Sequence, residues 1–213
     1  MKSIRFYFDV ISPYAWLAFQ RLPQVLQGHS HQVDYVPVVL GAVLSHHGQL
    51  GPAEIGPKRD WTYRHVLWLG RQLGIPLDLP ACHPFNSLAL QRLAVACGSL
   101  GLPNRWVCET LFRHVWQGGA DPNDPRRLAV LQAELQPVRD PAGADVKAEL
   151  RAHTDAALAA GVFGVPTLVV DGRLFWGLDG LPLLADALAE SPWFAGPDWE
   201  SVGRLPVGVK RQI

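Results

Sequence analysis

The stretch "FYFDVISPYAWLA" (residues 6–18) joins two kinds of local structure. Residues 3–10 are rich in β-branched and aromatic residues and predict a strand. Ser12 and Pro13 come next, and these residue types are preferred at the cap and at the first position of a helix, so residues 13–28 predict a helix. Residues 31–40 predict a second strand. The three elements form a β-α-β unit, whose two strands should run parallel.

The rest of the chain predicts helices first and strands afterwards. Helical periodicity dominates residues 41–161, and "PTLVVDGRLFWG" (166–177) predicts a β-hairpin that turns at "DGR". Residues 180–190 predict a closing helix. The tail beyond residue 190 is dense in Pro, Gly and Trp, and we expect it to pack extended over the surface.

This order of elements predicts an α/β fold with a thioredoxin-like sheet, β-α-β … β-β-α, interrupted by a large helical insertion. The predicted domains are a thioredoxin-like domain formed by residues 1–40 and 162–213, and an inserted helical subdomain formed by residues 41–161.

Composition narrows the class of protein. The chain has 213 residues, 48% of them hydrophobic, which is enough for one good core. Basic and acidic residues number 19 each, so the charge balance does not favour nucleic acid as a partner. No apolar stretch approaches the roughly 20 residues that span a bilayer, and the N-terminus is a poor signal peptide. We expect a cytoplasmic protein without nucleic-acid or membrane partners.

The three cysteines, Cys82, Cys97 and Cys108, form no C-x-x-C pair. An odd and sparse set does not indicate a disulfide framework. We expect two of these thiols to be buried or half-buried on helices and one to lie in a loop.

The helix start has the frame of a thiol oxidoreductase without its thiols. C-x-x-C enzymes place a cysteine at a helix N-terminus, where unpaired N–H groups and the helix dipole stabilise a thiolate. Here the frame reads Ser12-Pro13-Tyr14-Ala15, which excludes disulfide exchange at this position. Ser12 is either a helix cap only, or a cap that also donates a hydrogen bond to an anionic sulfur brought by a ligand.

A second element of interest is "FGVPTLVV" (163–170). A Val165–Pro166 bond at the start of a strand is a candidate for the cis form, although proline at this position is also ordinary in the trans form. If the bond is cis and faces Ser12, the backbone of Val165 becomes available to a peptide-like ligand.

Four segments of the chain resemble a known family. They are "FYFDVISPYAWLA", "GPKRDWTYRHVLWLGRQLGIPL" (56–77), "FNSLALQR" (85–92) and "GVFGVPTLVVDGRLFWGLD" (161–179). The chain resembles the 2-hydroxychromene-2-carboxylate isomerases and the related kappa-class glutathione transferases, both of DsbA-like thioredoxin fold. The resemblance extends from about Ile4 to Glu190.

This resemblance implies a glutathione-dependent enzyme that acts on a small-molecule substrate. In the isomerases a thiolate adds reversibly to a conjugated carbon, so that a double bond can rotate. The implied glutathione-binding residues are Ser12, Gln49, Lys58, Val165, Pro166 and Asp179, and Ser12 is also the implied catalytic residue. Ser12 would bind the thiolate, Val165 the cysteinyl backbone, Asp179 the γ-glutamyl amine, and Lys58 a carboxylate of glutathione or of the substrate.

The resemblance also implies a homodimer. The chain departs from the family at two positions, and at one of them Gln49 replaces an asparagine that is common in the relatives. The relatives commonly carry an arginine directly after the aspartate that matches Asp179, whereas this chain has Gly180. The leading hypothesis is an isomerase of a 2-hydroxychromene-2-carboxylate type of substrate. The alternatives are a kappa-like glutathione transferase and a thioredoxin-fold binding protein without turnover.

Other candidates have simpler explanations. His46 and His47 lie in a loop-like segment without further ligands at convincing spacing, so no metal site is predicted. Asn86 is expected to cap the helix that follows it, and Arg92 to pair with an acidic neighbour or to meet the substrate carboxylate. Helical spacing favours core positions over a surface that stacks on a ligand for four tryptophans, Trp61, Trp68, Trp106 and Trp116.

Overall fold

The computed structural model describes residues 1–98 and 100–209. Four strands form one sheet: β1 (Lys2–Phe8), β2 (His31–Pro37), β3 (Thr167–Val170) and β4 (Arg173–Trp176). The helices of the described residues are α1 (Pro13–Val25), α2 (Leu40–His46), α3 (Gly56–Leu73), α4 (Leu88–Cys97), α5 (Arg105–Trp116), α6 (Pro125–Leu135), α7 (Ala144–Ala159), α8 (Gly180–Leu188) and the short α9 (Pro197–Glu200). The predicted order, β-α-β, then helices, then β-β-α, is confirmed.

The sheet has the strand order β2-β1-β3-β4. β1 and β2 run parallel, as the β-α-β pattern predicted, and β3 pairs antiparallel with both β1 and β4. The turn between β3 and β4 places Asp171 and Gly172 at positive φ, as a two-residue type I′ hairpin requires. The predicted strands were too long at their ends, because β1 stops at Phe8 and Pro166 precedes β3.

The core is shared between the sheet and the inserted helices. Phe8 of β1 packs on Phe112 of α5 with ring centroids 5.5 Å apart, and Trp16 of α1 contacts the same ring at 5.8 Å. All three side chains are essentially inaccessible to solvent. Burial of such a side chain stabilises the fold by about 2–3 kcal/mol. The division into two domains stays a prediction, and one hydrophobic cluster contains residues of both proposed units.

Gln91 of α4 joins the insertion to the ends of two strands. Its buried side-chain amide donates to the carbonyl oxygens of Phe8 (3.0 Å) and Val38 (2.8 Å). Its side-chain oxygen accepts from the backbone N–H of Val10 at 3.3 Å. A single buried side chain therefore satisfies three backbone groups where β1 and β2 end, and fixes the start of the segment that leads to Ser12.

The C-terminal tail differs from the expectation. Residues 191–205 do not extend over the surface but form short helical segments, two 3-10 turns (Pro192–Ala195 and Val202–Arg204) around α9. Phe194 is buried against Phe175 and Trp199, which explains why the segment folds back. The part of the prediction that concerns residues 210–213 lies outside the described residues.

Two smaller predictions concern cysteines and membranes. Cys108 is buried and Cys97 half-buried on helices, while Cys82 is exposed in a loop, as expected. Across residues 1–98 and 100–209, none of the helices has the length and apolar character needed to cross a bilayer.

Candidate active site

The segment that connects β1 to α1, residues 9–12, is here called the Ser12 loop. Ser12 caps α1: its side-chain oxygen accepts a hydrogen bond from the backbone N–H of Ala15 at 3.2 Å, and Pro13 occupies the first helical position. The backbone N–H of Ser12 donates to the carbonyl of Asp9 at 3.0 Å, which closes the loop on itself. Ser12 is 6% exposed. The capping function of Ser12 is therefore confirmed.

Ser12 also contacts the segment before β3. Its hydroxyl donates to the carbonyl oxygen of Val165 at 3.3 Å, across 153 positions in the sequence. The Val165–Pro166 peptide bond is cis, and the carbonyl of Pro166 accepts from Gly177 at 2.9 Å. The fold thus brings together three of the six predicted site residues, Ser12, Val165 and Pro166, at the N-terminus of α1.

Asp9, the first residue of the Ser12 loop, stabilises the loop through its side chain and was not among the predicted site residues. Its carboxylate is 1% exposed and accepts from the backbone N–H groups of Ile11 (3.1 Å) and Leu40 (3.0 Å) and from the hydroxyl of Ser87 (3.0 Å). Burial raises the pKa of this carboxyl to about 6, and the three hydrogen bonds oppose that rise. The available signal was an acidic residue inside an apolar run, directly before the Ser-Pro pair.

His83 also stabilises the Ser12 loop, through a hydrogen bond to Ile11, and it was not among the predicted site residues either. Its Nε2 lies 2.8 Å from the carbonyl of Ile11, and because a carbonyl only accepts, Nε2 carries the proton. The hydroxyl of Tyr63 lies 2.8 Å from Nδ1 and 2.9 Å from the carbonyl oxygen of His83, so in the neutral imidazole its single hydrogen is shared between these two acceptors. Burial lowers the pKa of His83, which favours this neutral form. Ile11, the residue before Ser12, is therefore held through its carbonyl by a half-buried histidine whose neutral form is favoured.

Three side chains of α3, Trp61, His65 and Trp68, form an exposed strip that is here called the aromatic face. The His65 ring lies 4.5 Å from the Trp61 ring and 6.1 Å from the Trp68 ring, measured between centroids. Trp61 is 59% and Trp68 55% exposed. Trp106 is also exposed and Trp116 is buried, so the core prediction is wrong for three of the four tryptophans.

Tyr14 connects the aromatic face to the first turn of α1. Its hydroxyl lies 3.0 Å from Nδ1 of His65. The pKa of Tyr14 is raised, mainly by burial and further by the negative charge of Asp179. Asp179 is exposed at the N-terminus of α8, near enough for its charge to act on Tyr14 in the first turn of α1.

Among the described residues, Ser12 forms no hydrogen bond with the other three predicted residues, Gln49, Lys58 and Asp179. Gln49 is exposed in the loop after α2, and Lys58 is exposed in the first turn of α3, three positions before Trp61. Among the described residues, neither side chain has a hydrogen-bond or ion-pair partner. His47, nearby, contacts the carbonyl of Val162 through Nε2 at 3.2 Å, which ties the end of α2 to the segment before Pro166.

Asn86 and Arg92 behave differently from one another. The side-chain oxygen of Asn86 accepts from the backbone N–H of Leu88 at 3.0 Å, two residues further on, as in an Asx turn. The cap position of α4 is Ser87, so the predicted cap is one residue too early. Arg92 has no acidic partner within 4.0 Å in the part of the chain that the structure describes, so the expected ion pair is absent there. Within the same residues, no group of three or more His, Cys, Asp or Glu side chains is arranged to hold a metal ion.

Comparison with known proteins identifies the family. A profile described as a DSBA-like thioredoxin domain matches residues 3–189. The chain belongs to the DsbA-like thioredoxin family. The thioredoxin-like fold is thereby confirmed as well.

Within this family, the DsbA-like chain is similar to two groups of enzymes. It is 30% identical to 2-hydroxychromene-2-carboxylate isomerase of Sphingobium xenophagum over 203 residues, which cover 89% of this chain and 99% of the relative. It is also 30% identical to glutathione S-transferase kappa 2 of Caenorhabditis elegans over 220 residues, covering 92% and 95%. A solved structure of 2-hydroxychromene-2-carboxylate isomerase superposes with a TM-score of 0.77 at 26% identity, covering 91% of this chain and 98% of the other. The predicted relationship to both groups is confirmed.

Proposed function

We propose that this DsbA-like protein is a glutathione-dependent isomerase of an aromatic 2-hydroxychromene-2-carboxylate type of substrate. One observation carries the proposal: the buried hydroxyl of Ser12 lies at the N-terminus of α1, beside Val165, in a four-residue frame that contains no cysteine. Such a site can stabilise a thiolate but supplies none of its own.

The backbone around Ser12 fits a peptide thiol. At the start of α1, Pro13 has no N–H and the N–H of Ala15 already donates to Ser12, whereas the N–H of Tyr14 donates to no described residue. The helix dipole adds a partial positive charge at this end. The N–H of Val165 donates to no described residue, although Val165 is buried. Bound glutathione would supply the thiolate nucleophile that adds reversibly to a conjugated carbon of the substrate.

The chain's own residues would then bind and orient. Ser12 would donate a hydrogen bond to the sulfur, and Val165 would pair with the cysteinyl backbone. Asp179, at the N-terminus of α8, would bind the γ-glutamyl amine. Lys58 and Gln49 are exposed and have no described partners, so both are available to a carboxylate or an amide of the ligand. Gly180 supplies no cation, which leaves Lys58 as the main positive charge in the predicted set.

The aromatic face supports the class of substrate. Lys58, Trp61, His65 and Trp68 recur at helical spacing on α3, and Tyr14 contacts this strip from the first turn of α1. A flat ring could pack on an exposed tryptophan while its carboxylate pairs with Lys58. This arrangement meets the two needs of an aromatic carboxylate: an apolar surface and a cation.

A kappa-like glutathione transferase is the second candidate. The kappa relative of Caenorhabditis elegans matches this chain as closely as the isomerase of Sphingobium xenophagum does. The two functions differ in the fate of glutathione, because isomerisation regenerates it whereas conjugation consumes it.

One experiment separates the candidates. The purified protein is incubated with 2-hydroxychromene-2-carboxylate, with and without glutathione, and both the absorbance of the substrate and the free thiol are followed. We expect isomerisation only when glutathione is present, at constant free thiol. Loss of thiol in step with substrate would indicate the transferase. Absence of turnover, together with no retention on immobilised glutathione, would leave a binding protein of another kind.

A further inference from the structure

A cavity of about 470 Å³, apart from the residues described so far as the candidate active site, is lined by residues of α2, α4 and α7 and by Val39, which precedes α2. None of the six predicted site residues lines it. Its apolar lining includes Val39 and Leu88, which are the chain neighbours of Leu40 and Ser87. Leu40 and Ser87 donate to the buried carboxylate of Asp9, and no residue of the Ser12 loop or of the segment around Val165 is part of the lining. The cavity is therefore distinct from the candidate active site.

Three cationic side chains line the cavity: Arg92 from α4, and Lys147 and Arg151 from α7. None of the three has a carboxylate within 4.0 Å among the described residues. Lys147 and Arg151 are four positions apart on one helix, and like charges at this spacing destabilise a helix. Asp155 is the one acidic residue of the lining, so the cavity keeps a net positive charge.

Arg92 adds an unsatisfied donor. Its Nε is buried and has no hydrogen-bond partner among the described residues. A buried donor without a partner is unfavourable, and the cost is larger for a charged group. The three cationic side chains have no paired carboxylate among the described residues, and one of them has this unsatisfied donor, so an anion in the cavity would be stabilised by the cluster.

The opposite wall of the cavity is apolar. Val39 and Ala42 from the start of α2 and Leu88 from the start of α4 form it. An inorganic ion would leave this wall in contact with water, whereas a ligand with an apolar body would cover it. The lining thus matches a molecule with a charged group at one end and a hydrocarbon or ring at the other.

We propose that this cavity binds a small organic anion, whose charged group pairs with Arg92, Lys147 and Arg151 and whose apolar body packs on Val39, Ala42 and Leu88. The proposal needs neither glutathione nor turnover, and it stands apart from the function proposed for Ser12.

Octyl phosphate is a suitable probe, because it has both halves of the proposed ligand, and inorganic phosphate has the charged half alone. We expect calorimetry to detect binding of octyl phosphate to the full chain, and backbone NMR shifts to centre on Val39, Ala42 and Leu88. Lys147→Gln and Arg151→Gln should each weaken binding about threefold to tenfold. Both residues are exposed on α7, so these variants should fold normally.

Arg126→Gln is the matched control, because it removes one exposed positive charge from another helix, α6. Its affinity for octyl phosphate should equal that of the unmodified protein. Equal weakening in the control, unchanged affinity in both α7 variants, or NMR shifts centred on Ser12 would each overturn the proposal. Inorganic phosphate that binds as tightly as octyl phosphate would overturn the assignment of an organic ligand.

Discussion

The Ser12 loop and the aromatic face lie near each other but are built in opposite ways. The loop is largely buried, and its backbone is satisfied by its own Asp9 and by two side chains from distant parts of the chain, His83 and Gln91. The aromatic face is exposed and held mainly by ring contacts within one helix. The position of Ser12 is therefore fixed by the fold, whereas substitution of the exposed side chains beside it should have little effect on the stability of the protein.

The largest expected effect is a loss of stability when Gln91, which supports the start of the Ser12 loop, is replaced. Gln91→Leu keeps the volume but leaves the N–H of Val10 and the carbonyls of Phe8 and Val38 without their partner. We expect a loss of about 3 kcal/mol or more in the free energy of unfolding, measured by urea denaturation. Gln132→Leu, at an exposed position of α6, is the control and should change it by about 0.5 kcal/mol at most. A similar, small effect for both variants would contradict the proposed rigidity of the loop.

Ser12→Ala tests whether the loop carries chemistry. Loss of a hydrogen bond to a charged sulfur should lower the isomerisation rate about tenfold to a hundredfold and raise the pKa of the thiol of bound glutathione. Loss of the cap should cost about 1 kcal/mol of stability, which thermal denaturation would detect. A fully active variant with only the stability loss would reduce Ser12 to a helix cap. Ser12→Thr, which keeps the hydroxyl and the cap, should retain most of the activity.

The buried carboxyl of Asp9 predicts a pH dependence. Its pKa is about 6 in the folded protein, above the ordinary value of 3.8, so the folded state binds more protons between these pH values. The contribution to stability is therefore full below about pH 4 and is lost as pH rises through 6. Relative to Asp9→Asn, the unmodified protein should lose about 2 kcal/mol of unfolding free energy between pH 4.5 and 7. Urea denaturation at each pH measures it, and parallel curves for the two proteins would refute the assignment.

The smallest effect tests the exposed side. Trp61→Ala should raise KM for an aromatic carboxylate about threefold to tenfold, because a stacking surface is lost. Its unfolding free energy should change by about 0.5 kcal/mol at most, since the side chain is exposed. Trp106→Ala, at an equally exposed tryptophan of α5, is the matched control and should leave KM unchanged. Equal changes in KM for both variants would remove the aromatic face from the substrate site.

Local signals made part of this picture predictable from sequence. The Ser-Pro pair marked the start of α1 because capping depends on neighbouring residues, and the Asp-Gly turn marked the hairpin for the same reason. The supports of the loop were not predictable in this way. Ser87 and His83 lie more than 70 positions from the groups they bind, and only the assembled fold brings them there.

The tryptophans show a different limit. Helical spacing establishes that Trp61 and Trp68 share a face, but not which face of the helix points inward. In α3 the buried positions are Thr62, Val66 and Gly70, one or two residues away from the tryptophans. Small residues allow α3 to pack closely here, and the larger rings are left outside. A prediction based only on the size and hydrophobicity of side chains therefore assigned the wrong face of α3 to the core.

The contact between Ser12 and Val165 has one last consequence. A hydroxyl has a single hydrogen, and that of Ser12 already points to the Val165 carbonyl. If the sulfur of a bound thiol accepts this hydrogen bond, the carbonyl of Val165 loses it. Binding of the thiol therefore replaces one hydrogen bond of Ser12 with another and adds none. A backbone N–H of the bound peptide can donate to the Val165 carbonyl in place of Ser12. A thiol without a peptide backbone cannot supply this replacement hydrogen bond and would leave the Val165 carbonyl without a partner.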